Sequence, residues 1–256
     1  MKNCILVMTL VLMACSNTKP VNIWMIGDST MAAKKASRLP ESGWGEGLKA
    51  FVTPNTIVHN HAASGRSTRS FIEEGRWQNV VDSLQAGDFV IIQFGHNDQK
   101  PDAKLHTEPY GEFVRNLEKF VRESERSGAF PIICSSIVRR HFTKDGKLTD
   151  THGDYILAAK AVAANLEVPF VDMEHITRTL VTGLGVENSK AIYTHTAHKA
   201  DDTHLSTKGA RVVAYFFARE VQRVNSSLAR YLDLQEARFC NRLITHELIT
   251  SELNQE

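Results

Sequence analysis

Short apolar runs alternate with longer amphipathic segments along most of this chain, and the alternation narrows the possible folds more than any other property of the sequence. Runs rich in β-branched and aromatic residues predict strands at 21–26, 56–61, 88–94, 130–137 and 168–172. Helical patterns cover residues 45–51, 77–84, 109–127, 155–166 and 208–224. Nearly continuous apolar strands that alternate with helices predict an α/β fold, with a parallel sheet covered on both faces.

Length and charge limit the function classes that need to be considered. The 256 residues, 42% of them hydrophobic, predict a globular chain with one main domain. The formal net charge is +1 at pH 7, so no overall field draws the protein to nucleic acid or to an anionic membrane. We expect no nucleic-acid partner, and we expect a monomer.

The first residues have the pattern of a bacterial lipoprotein signal. Lys2 precedes an apolar run at 5–13, which ends in the tetrad Leu12-Met13-Ala14-Cys15. We expect a signal peptide at 1–14, lipidation of Cys15 and a tether at 15–20. The protein would then be secreted across the inner membrane and anchored, at a periplasmic or outer-membrane face, through Cys15 alone. The alternative is an ordinary signal peptide in which Cys15 is coincidental.

Two cysteines then remain for the folded part, Cys134 and Cys240. An oxidising compartment would allow a disulfide between them. Cys134 lies in an apolar run that predicts a buried strand, where a free cysteine behaves as a small hydrophobic residue. We therefore favour the unpaired state.

Polar clusters follow several of the predicted strands or lead into a helix. Ser29 follows Gly27 and Asp28 after the first strand, Gly65 comes after the second and Asn97 after the third, and His204 precedes the last helical pattern. Ligands of parallel sheets bind beyond the carboxyl ends of the strands. Each cluster alone also fits an ordinary turn, but together they can converge on one site.

These clusters resemble the four blocks of the SGNH, or GDSL-like, hydrolases, which supply serine, glycine, asparagine and histidine in this chain order. A closer resemblance is to the rhamnogalacturonan acetylesterases. It extends from about residue 23 to residue 224 and rests on segments 27–32, 43–46, 65–67, 74–76 and 94–98. The resemblance implies a three-layer α/β/α sandwich with a central, mostly parallel, five-stranded sheet. It places the hydrolase domain at 21–227 and leaves 228–256 as a helical extension or tail.

The resemblance and the chemistry imply the same catalytic roles. Ser29 needs an adjacent base, which His204 can supply, and a carboxylate must hold the imidazole in the correct tautomer. Asp201 matches the family position, while the neighbouring Asp202 is the competitor, with helix or turn capping as its alternative role. The implied oxyanion donors are the Ser29 and Gly65 N–H groups and the Asn97 side-chain amide.

Cationic loop residues suggest an acetylated polyuronate as the substrate, because guanidinium groups pair with carboxylates. The expected substrate contacts are Trp44, as a face for sugar stacking, and Arg66, Arg69, His96 and His198. Each has a simpler alternative, since Trp44 could be core and surface cations are commonly only solvated. We expect no cofactor and no metal, although His195, His198, Asp201 and Asp202 lie close enough in sequence to raise a metal site as an alternative.

The sequence and the resemblance therefore predict a serine esterase that removes O-acetyl groups from a plant cell-wall polysaccharide, rhamnogalacturonan or pectin, through an acetyl-enzyme intermediate. One rival is an esterase of the same fold that acts on xylan, a lipid or a thioester. Another is a lipoprotein that binds glycan at an inactive site. The complete set of Ser29, Gly65, Asn97, Asp201 and His204 argues against the inactive form.

Overall fold

The computed structural model describes residues 19–224 and 227–235 of the chain. The predicted signal peptide at 1–14, the lipidation site Cys15 and Cys240 lie outside these residues, as does most of the predicted C-terminal extension. Cys134 is buried, and burial raises the pKa of its thiol.

A five-stranded sheet forms the centre of the fold, with strand order β2-β1-β3-β4-β5 and every neighbouring pair parallel. Its strands are β1 (Val21–Gly27), β2 (Thr56–Asn60), β3 (Phe89–Gln93), β4 (Phe130–Cys134) and β5 (Phe170–Val171). The α/β prediction is confirmed, and all the predicted strands are present. The last two are shorter than predicted, because the polar chain after Cys134 leaves the sheet and Phe170–Val171 pairs only at the sheet edge.

Helices cover both faces of this sheet. They are α1 (Trp44–Leu48), α2 (Thr68–Glu73), α3 (Arg76–Val81), α4 (Val114–Arg126), α5 (Asp154–Asn165), α6 (Met173–Asn188) and α7 (Thr207–Arg223). A π-helical turn (Pro109–Phe113) leads into α4, and single 3₁₀ turns occupy Ala36–Arg38, Lys49–Phe51, Ser189–Ala191 and Ser227–Tyr231.

Alternation along β1 divides the core into two layers. Ile23 and Met25 pack on the side of α1, α6 and α7, whereas Trp24 and Ile26 pack on the side of α2 to α5. Leu228 is fully buried in the first layer, so core packing continues past the predicted domain end at residue 227.

Three elements were not predicted: α2, α6 and an antiparallel hairpin of β6 (Tyr193–Thr196) and β7 (Lys199–Leu205). Local capping explains the first two. A capping box of Ser67 and Ser70 begins α2, and the Asp172 side chain accepts a hydrogen bond from the His175 N–H at the start of α6. The hairpin was missed because β7 is mostly polar, and its residues are fixed by hydrogen bonds and ion pairs rather than by an apolar face.

Trp44 was expected to present a face to sugars, and this prediction is wrong. The side chain is fully buried, its ring packs 5.0 Å from the Phe217 ring of α7, and its Nε1–H donates to Gln93 Oε1 over 2.6 Å. Gln93 Nε2 in turn donates to Thr30 Oγ1 (2.9 Å). Trp44 therefore belongs to the core, directly beneath the turn that carries Ser29.

Within the described ranges, no helix combines the length and the apolar character that a bilayer crossing requires.

Trp44→Ala should lower the free energy of unfolding by about 3–5 kcal/mol, because it removes a buried ring and leaves a cavity between α1 and α7. Trp44→Phe, which keeps most of the ring but leaves Gln93 Oε1 without its donor, should cost about 1–3 kcal/mol. Urea unfolding measures both values. A variant with unchanged stability and a raised KM would instead restore Trp44 as a substrate contact.

Candidate active site

Ser29 stands on a tight turn directly after β1. The turn is held by Asp28, whose carbonyl accepts the Met31 and Ala32 N–H groups, and whose Oδ1 accepts the Thr30 N–H (2.9 Å) and Oγ1–H (2.8 Å). Asp28 and Thr30 are fully buried, whereas Ser29 between them is partly exposed. The local fold therefore presents a single hydroxyl at the carboxyl edge of the sheet.

Close packing of α1 fixes this turn from the other side. The Trp44 N–H donates to the Thr30 carbonyl (3.0 Å) and the Gly45 N–H to the Met31 carbonyl (3.2 Å). A Cβ atom on Gly43 would lie 2.3 Å from the Ala32 carbonyl oxygen, so this contact requires glycine.

His204 and Asp201 lie on β7 and complete a continuous hydrogen-bonded chain with Ser29. His204 Nε2 is 2.9 Å from Ser29 Oγ, and His204 Nδ1 is 2.8 Å from Asp201 Oδ2. Asp201 Oδ1 accepts the N–H groups of Thr203 (2.9 Å) and His204 (2.8 Å). Burial opposes ionisation of Asp201, but hydrogen bonds from Lys199, from these amides and from the His204 ring hold its pKa below the ordinary value.

Asp202 has a different environment from Asp201. Its Oδ1 pairs with the Arg140 guanidinium and lies 2.8 Å from His195 Nε2. It contacts neither His204 nor the start of α7, whose N-cap is Ser206. The alternative capping role of Asp202 is therefore wrong, and its carboxylate serves to neutralise the buried Arg140.

The predicted oxyanion donors come from three loops at the same edge. Gly65 follows β2 and has a φ of +80°, in the left-handed region that favours glycine. Asn97 follows β3, is 3% exposed and donates one Nδ2 hydrogen to the Arg66 carbonyl (3.0 Å), which leaves its second hydrogen available. Within residues 19–224 and 227–235, neither the Ser29 N–H nor the Gly65 N–H has a protein acceptor.

Asp98 anchors the Asn97 loop. It is fully buried, and its Oδ1 accepts from the Thr68 N–H (2.9 Å) and from the Thr68 and Thr107 hydroxyls (2.5 and 3.0 Å), while Oδ2 accepts from the Gly95 N–H (3.1 Å). Burial outweighs these hydrogen bonds and raises the pKa of Asp98 to about 6. Its role is to hold the loop.

Arg66 and Arg69, expected to meet the substrate, are both paired with carboxylates. Arg66 Nε lies 3.0 Å from Glu74 Oε2, which Arg76 also contacts at 2.6 Å. Arg69 pairs with Glu112 through a two-bonded contact, and its Nη1 donates to the Ala103 carbonyl (2.6 Å). These pairs neutralise much of the positive charge that the sequence suggested.

The two histidines expected to contact substrate lie in opposite environments. His96 is 3% exposed, and its Nδ1 is 3.0 Å from His152 Nε2, so it packs behind the Asn97 loop instead of facing solvent. Burial and the nearby Arg139 charge lower the pKa of His96. His198 is exposed at the turn between β6 and β7, where a ligand can reach it.

Two charged residues beside the triad, Glu41 and Lys34, were not predicted from the sequence. Glu41 has a side chain 1% exposed and binds Lys199 and Arg38 through Oε2 (2.8 and 2.7 Å), while Lys34 lies 3.3 Å from Oε1. Lys34 also donates to the Ser29 carbonyl (2.6 Å) and to Ser64 Oγ (3.0 Å). Their only sequence signal is the position of Glu41 just before the segment 43–46, because no local pattern reveals a buried carboxylate.

Known proteins with similar sequences carry related names. Rhamnogalacturonan acetylesterase RhgT from Bacillus subtilis (strain 168) is 35% identical over 229 residues, which cover 86% of this chain and 97% of that protein. A rhamnogalacturonan acetylesterase from Emericella nidulans is 29% identical over 219 residues, covering 78% of this chain and 84% of that protein.

Solved structures share the fold. The crystal structure of YxiM from Bacillus subtilis superposes with a TM-score of 0.73 at 23% identity, over 81% of this chain and 58% of that one. The acetylxylan esterase Axe2 from Geobacillus stearothermophilus has a TM-score of 0.56 at 23% identity, over 79% of this chain and 95% of that one.

The resemblance inferred from the motifs is confirmed at the level of the family. The model of the GDSL-like lipase/acylhydrolase family matches residues 25–212, which contain every residue of the candidate triad and oxyanion site. The chain belongs to the GDSL-like lipase/acylhydrolase family and is a carboxylic ester hydrolase.

Proposed function

We propose that the protein is a serine acetylesterase that removes O-acetyl groups from a carbohydrate through an acetyl-enzyme intermediate. The observation that carries the proposal is the unbroken chain from Asp201 Oδ2 through the His204 ring to Ser29 Oγ, with contacts of 2.8 and 2.9 Å. A hydroxyl, an imidazole and a carboxylate in this arrangement form an activated nucleophile.

The chemistry follows from this arrangement. Ser29 Oγ attacks the acetyl carbonyl carbon while His204 Nε2 takes its proton, and the Ser29, Gly65 and Asn97 donors stabilise the resulting oxyanion. Collapse breaks the bond to the sugar oxygen, which leaves with the proton from His204. A water molecule then attacks the acetyl-Ser29 ester by the same route, which releases acetate and restores the Ser29 hydroxyl.

For the substrate, we propose acetylated rhamnogalacturonan. The proposal is supported by the names of the relatives in Bacillus subtilis and Emericella nidulans, which are rhamnogalacturonan acetylesterases. The arginine-rich cleft suggested by the sequence gives it less support, since Arg66 and Arg69 are already paired with Glu74 and Glu112. Exposed His198 remains the substrate contact that we propose from the predicted set.

For its cellular location, we propose secretion across the inner membrane with a lipid anchor at Cys15, at the periplasmic or outer-membrane face. The supporting pattern is the apolar run that ends in Leu12-Met13-Ala14-Cys15. We further propose that the anchored protein is a monomer.

Ser29→Ala should abolish acetate release while leaving the fold intact, and Asp201→Asn should lower kcat about 10³- to 10⁴-fold because the imidazole loses its orienting acceptor. Initial rates on an acetyl ester, with circular dichroism as the folding check, measure both effects.

Asp202→Asn is the matched control. It should leave kcat close to that of the wild type and lower the free energy of unfolding by on the order of 1 kcal/mol, because Arg140 keeps its hydrogen bonds but loses a partly exposed counter-ion. Equal losses of kcat in the two aspartate variants, with both folded, would contradict the assignment of Asp201.

Acetate release should be faster from acetylated rhamnogalacturonan than from acetylated xylan or a short-chain triglyceride, and it should depend on Ser29 in each case. Enzymatic quantification of acetate measures it, with Ser29→Ala run beside every substrate. Preference for xylan or triglyceride would keep the serine mechanism and reject the proposed polymer. Binding to the polymer without Ser29-dependent release would instead identify a glycan-binding protein.

Expression of the full chain in a bacterial host fed radiolabelled palmitate should give a labelled membrane protein, and Cys15→Ser should lose the label. Cys134→Ser is the matched control, since Cys134 is buried and should leave labelling unchanged. An unlabelled, soluble wild type would indicate an ordinary signal peptide.

A further inference from the structure

The buried Glu41 carboxylate lies beside the triad although it belongs to a different loop. One oxygen of Glu41, one oxygen of Asp201 and one ring nitrogen of His204 all lie within 4.8 Å of one another. Glu41 itself makes no hydrogen bond to Ser29 or His204 among the contacts of the described residues. Its proximity places a second negative charge next to the base.

The loop that carries Glu41 is fixed against the strand that carries His204. Glu41 forms a β-bridge with Ser206, the Ser42 N–H donates to the Leu205 carbonyl (2.9 Å) and the Thr207 N–H donates to the Pro40 carbonyl (2.7 Å). The distance between Glu41 and His204 is thus set by backbone hydrogen bonds on both sides of Glu41.

Lys199 joins the two carboxylates. Its Nζ lies 2.8 Å from Glu41 Oε2 and 2.8 Å from Asp201 Oδ2, the same Asp201 oxygen that meets the His204 ring. The Lys199 ammonium group therefore supplies the positive charge between the Glu41 and Asp201 carboxylates. Burial opposes the ionisation of Glu41, but hydrogen bonds from Lys199 and Arg38 lower its pKa to about 2, so it is charged at neutral pH.

We propose, on the basis of the esterase function above, that Glu41 and Lys199 are positioning residues that set the protonation balance of the His204 base with opposite signs. Glu41 favours the imidazolium that forms when Ser29 attacks. Lys199 opposes it and, by holding Asp201 Oδ2, limits how strongly that carboxylate stabilises the charged ring. Lys34 contacts Glu41, the Ser29 carbonyl and Ser64 Oγ. Through Lys34, Glu41 is therefore also connected to the turn that carries Ser29 and to the loop that carries Gly65.

Several charged or titratable groups surround the base, and all of them except Glu41 and Lys199 remain unchanged in the test. Those near His204 or its charged neighbours come from β7, from the turn and loop after β1 and from the loops after β3 and β4: Asp201, Lys199, Glu41, Lys34, Arg38, Asp28, His96 and Arg139. Arg140 and His195 each pair with Asp202, which makes no contact with His204.

The test is the pH profile of kcat/KM on 4-nitrophenyl acetate, a neutral ester whose own charge does not change. The acid limb of such a profile reports the protonation of the base in the free enzyme. Lys199→Met removes a positive charge and should move this limb to higher pH by roughly half to one unit, whereas Glu41→Gln should move it to lower pH by a similar amount. The double variant should return close to the wild-type limb.

The controls separate this role from a structural one. Lys199→Arg keeps the charge and should restore the wild-type limb. Lys119→Met removes a lysine of nearly equal exposure (41% against 40%) that pairs with Glu123 on α4, and it should leave the limb unchanged. Limbs that stay in place, or that move in the same direction in Lys199→Met and Glu41→Gln, would overturn the proposal. If Glu41→Gln does not fold, the Lys199→Met and Lys199→Arg pair still decides it.

A second measurement needs no activity at all. It is the NMR pH titration of the His204 ring in the Ser29→Ala background, with the ring signal assigned by its loss in His204→Gln. The titration midpoint should move to higher pH when Lys199→Met is added and to lower pH when Glu41→Gln is added. If the wild-type protein releases no acetate while the His204 titration still moves in opposite directions in the two variants, the proposed function is rejected and the electrostatic role is kept. Coincident titration curves would reject the role of Glu41 and Lys199.

Discussion

A buried chain of hydrogen bonds beneath Ser29 is the constraint on which the rest of the site depends. It runs from Trp44 through Gln93 and Thr30 to Asp28, with contacts of 2.6, 2.9 and 2.8 Å. The chain joins α1, β3 and the turn after β1, so three separate elements fix one backbone conformation. Because every member is buried, breaking any link leaves an unpaired polar group in the core. Ser29 can therefore stand partly exposed on a turn that has little freedom to move.

The charged groups around the His204 base are also partly enclosed by the protein. Asp201 accepts hydrogen bonds from the Thr203 and His204 N–H groups, from the His204 ring and from Lys199, which together fix the orientation of the imidazole. Glu41 adds a second negative charge that is held by Lys199, Lys34 and Arg38. Charges that lie in such a partly desolvated place interact more strongly than they would in water. The loop after β1 thus supports both the nucleophile, through Lys34, and the base, through Glu41.

The sequence predicted the sheet, the order of its strands along the chain and the residues that meet at its carboxyl edge, because these depend on local periodicity and on motifs at strand ends. Residues whose roles depend on distant partners were beyond that reasoning. Trp44 and His96 have side chains typical of sugar contacts, yet α7 covers the first and His152 packs on the second. Glu41 resembles an ordinary surface acid until the backbone hydrogen bonds of Ser42 and Thr207 bring it to the triad. The pairing of Arg140 with Asp202, over a separation of 62 residues, also has no local signal.

The arginines expected to attract a polyuronate already have carboxylate partners within the protein. Arg66, Arg76 and Glu74 together carry one net positive charge, and Arg69 with Glu112 carries none. These pairs are between about one quarter and two fifths exposed, so solvent screens them and a passing carboxylate gains little from long-range attraction. To pair with Arg66 or Arg69, a carboxylate of a polyuronate would have to displace Glu74 or Glu112 from the guanidinium group. Because one carboxylate replaces another, the electrostatic gain would be small. Under the proposed function, discrimination between polymers would then depend on the fixed geometry of these guanidinium groups and of the exposed hairpin turn at His198, rather than on the net charge near the triad.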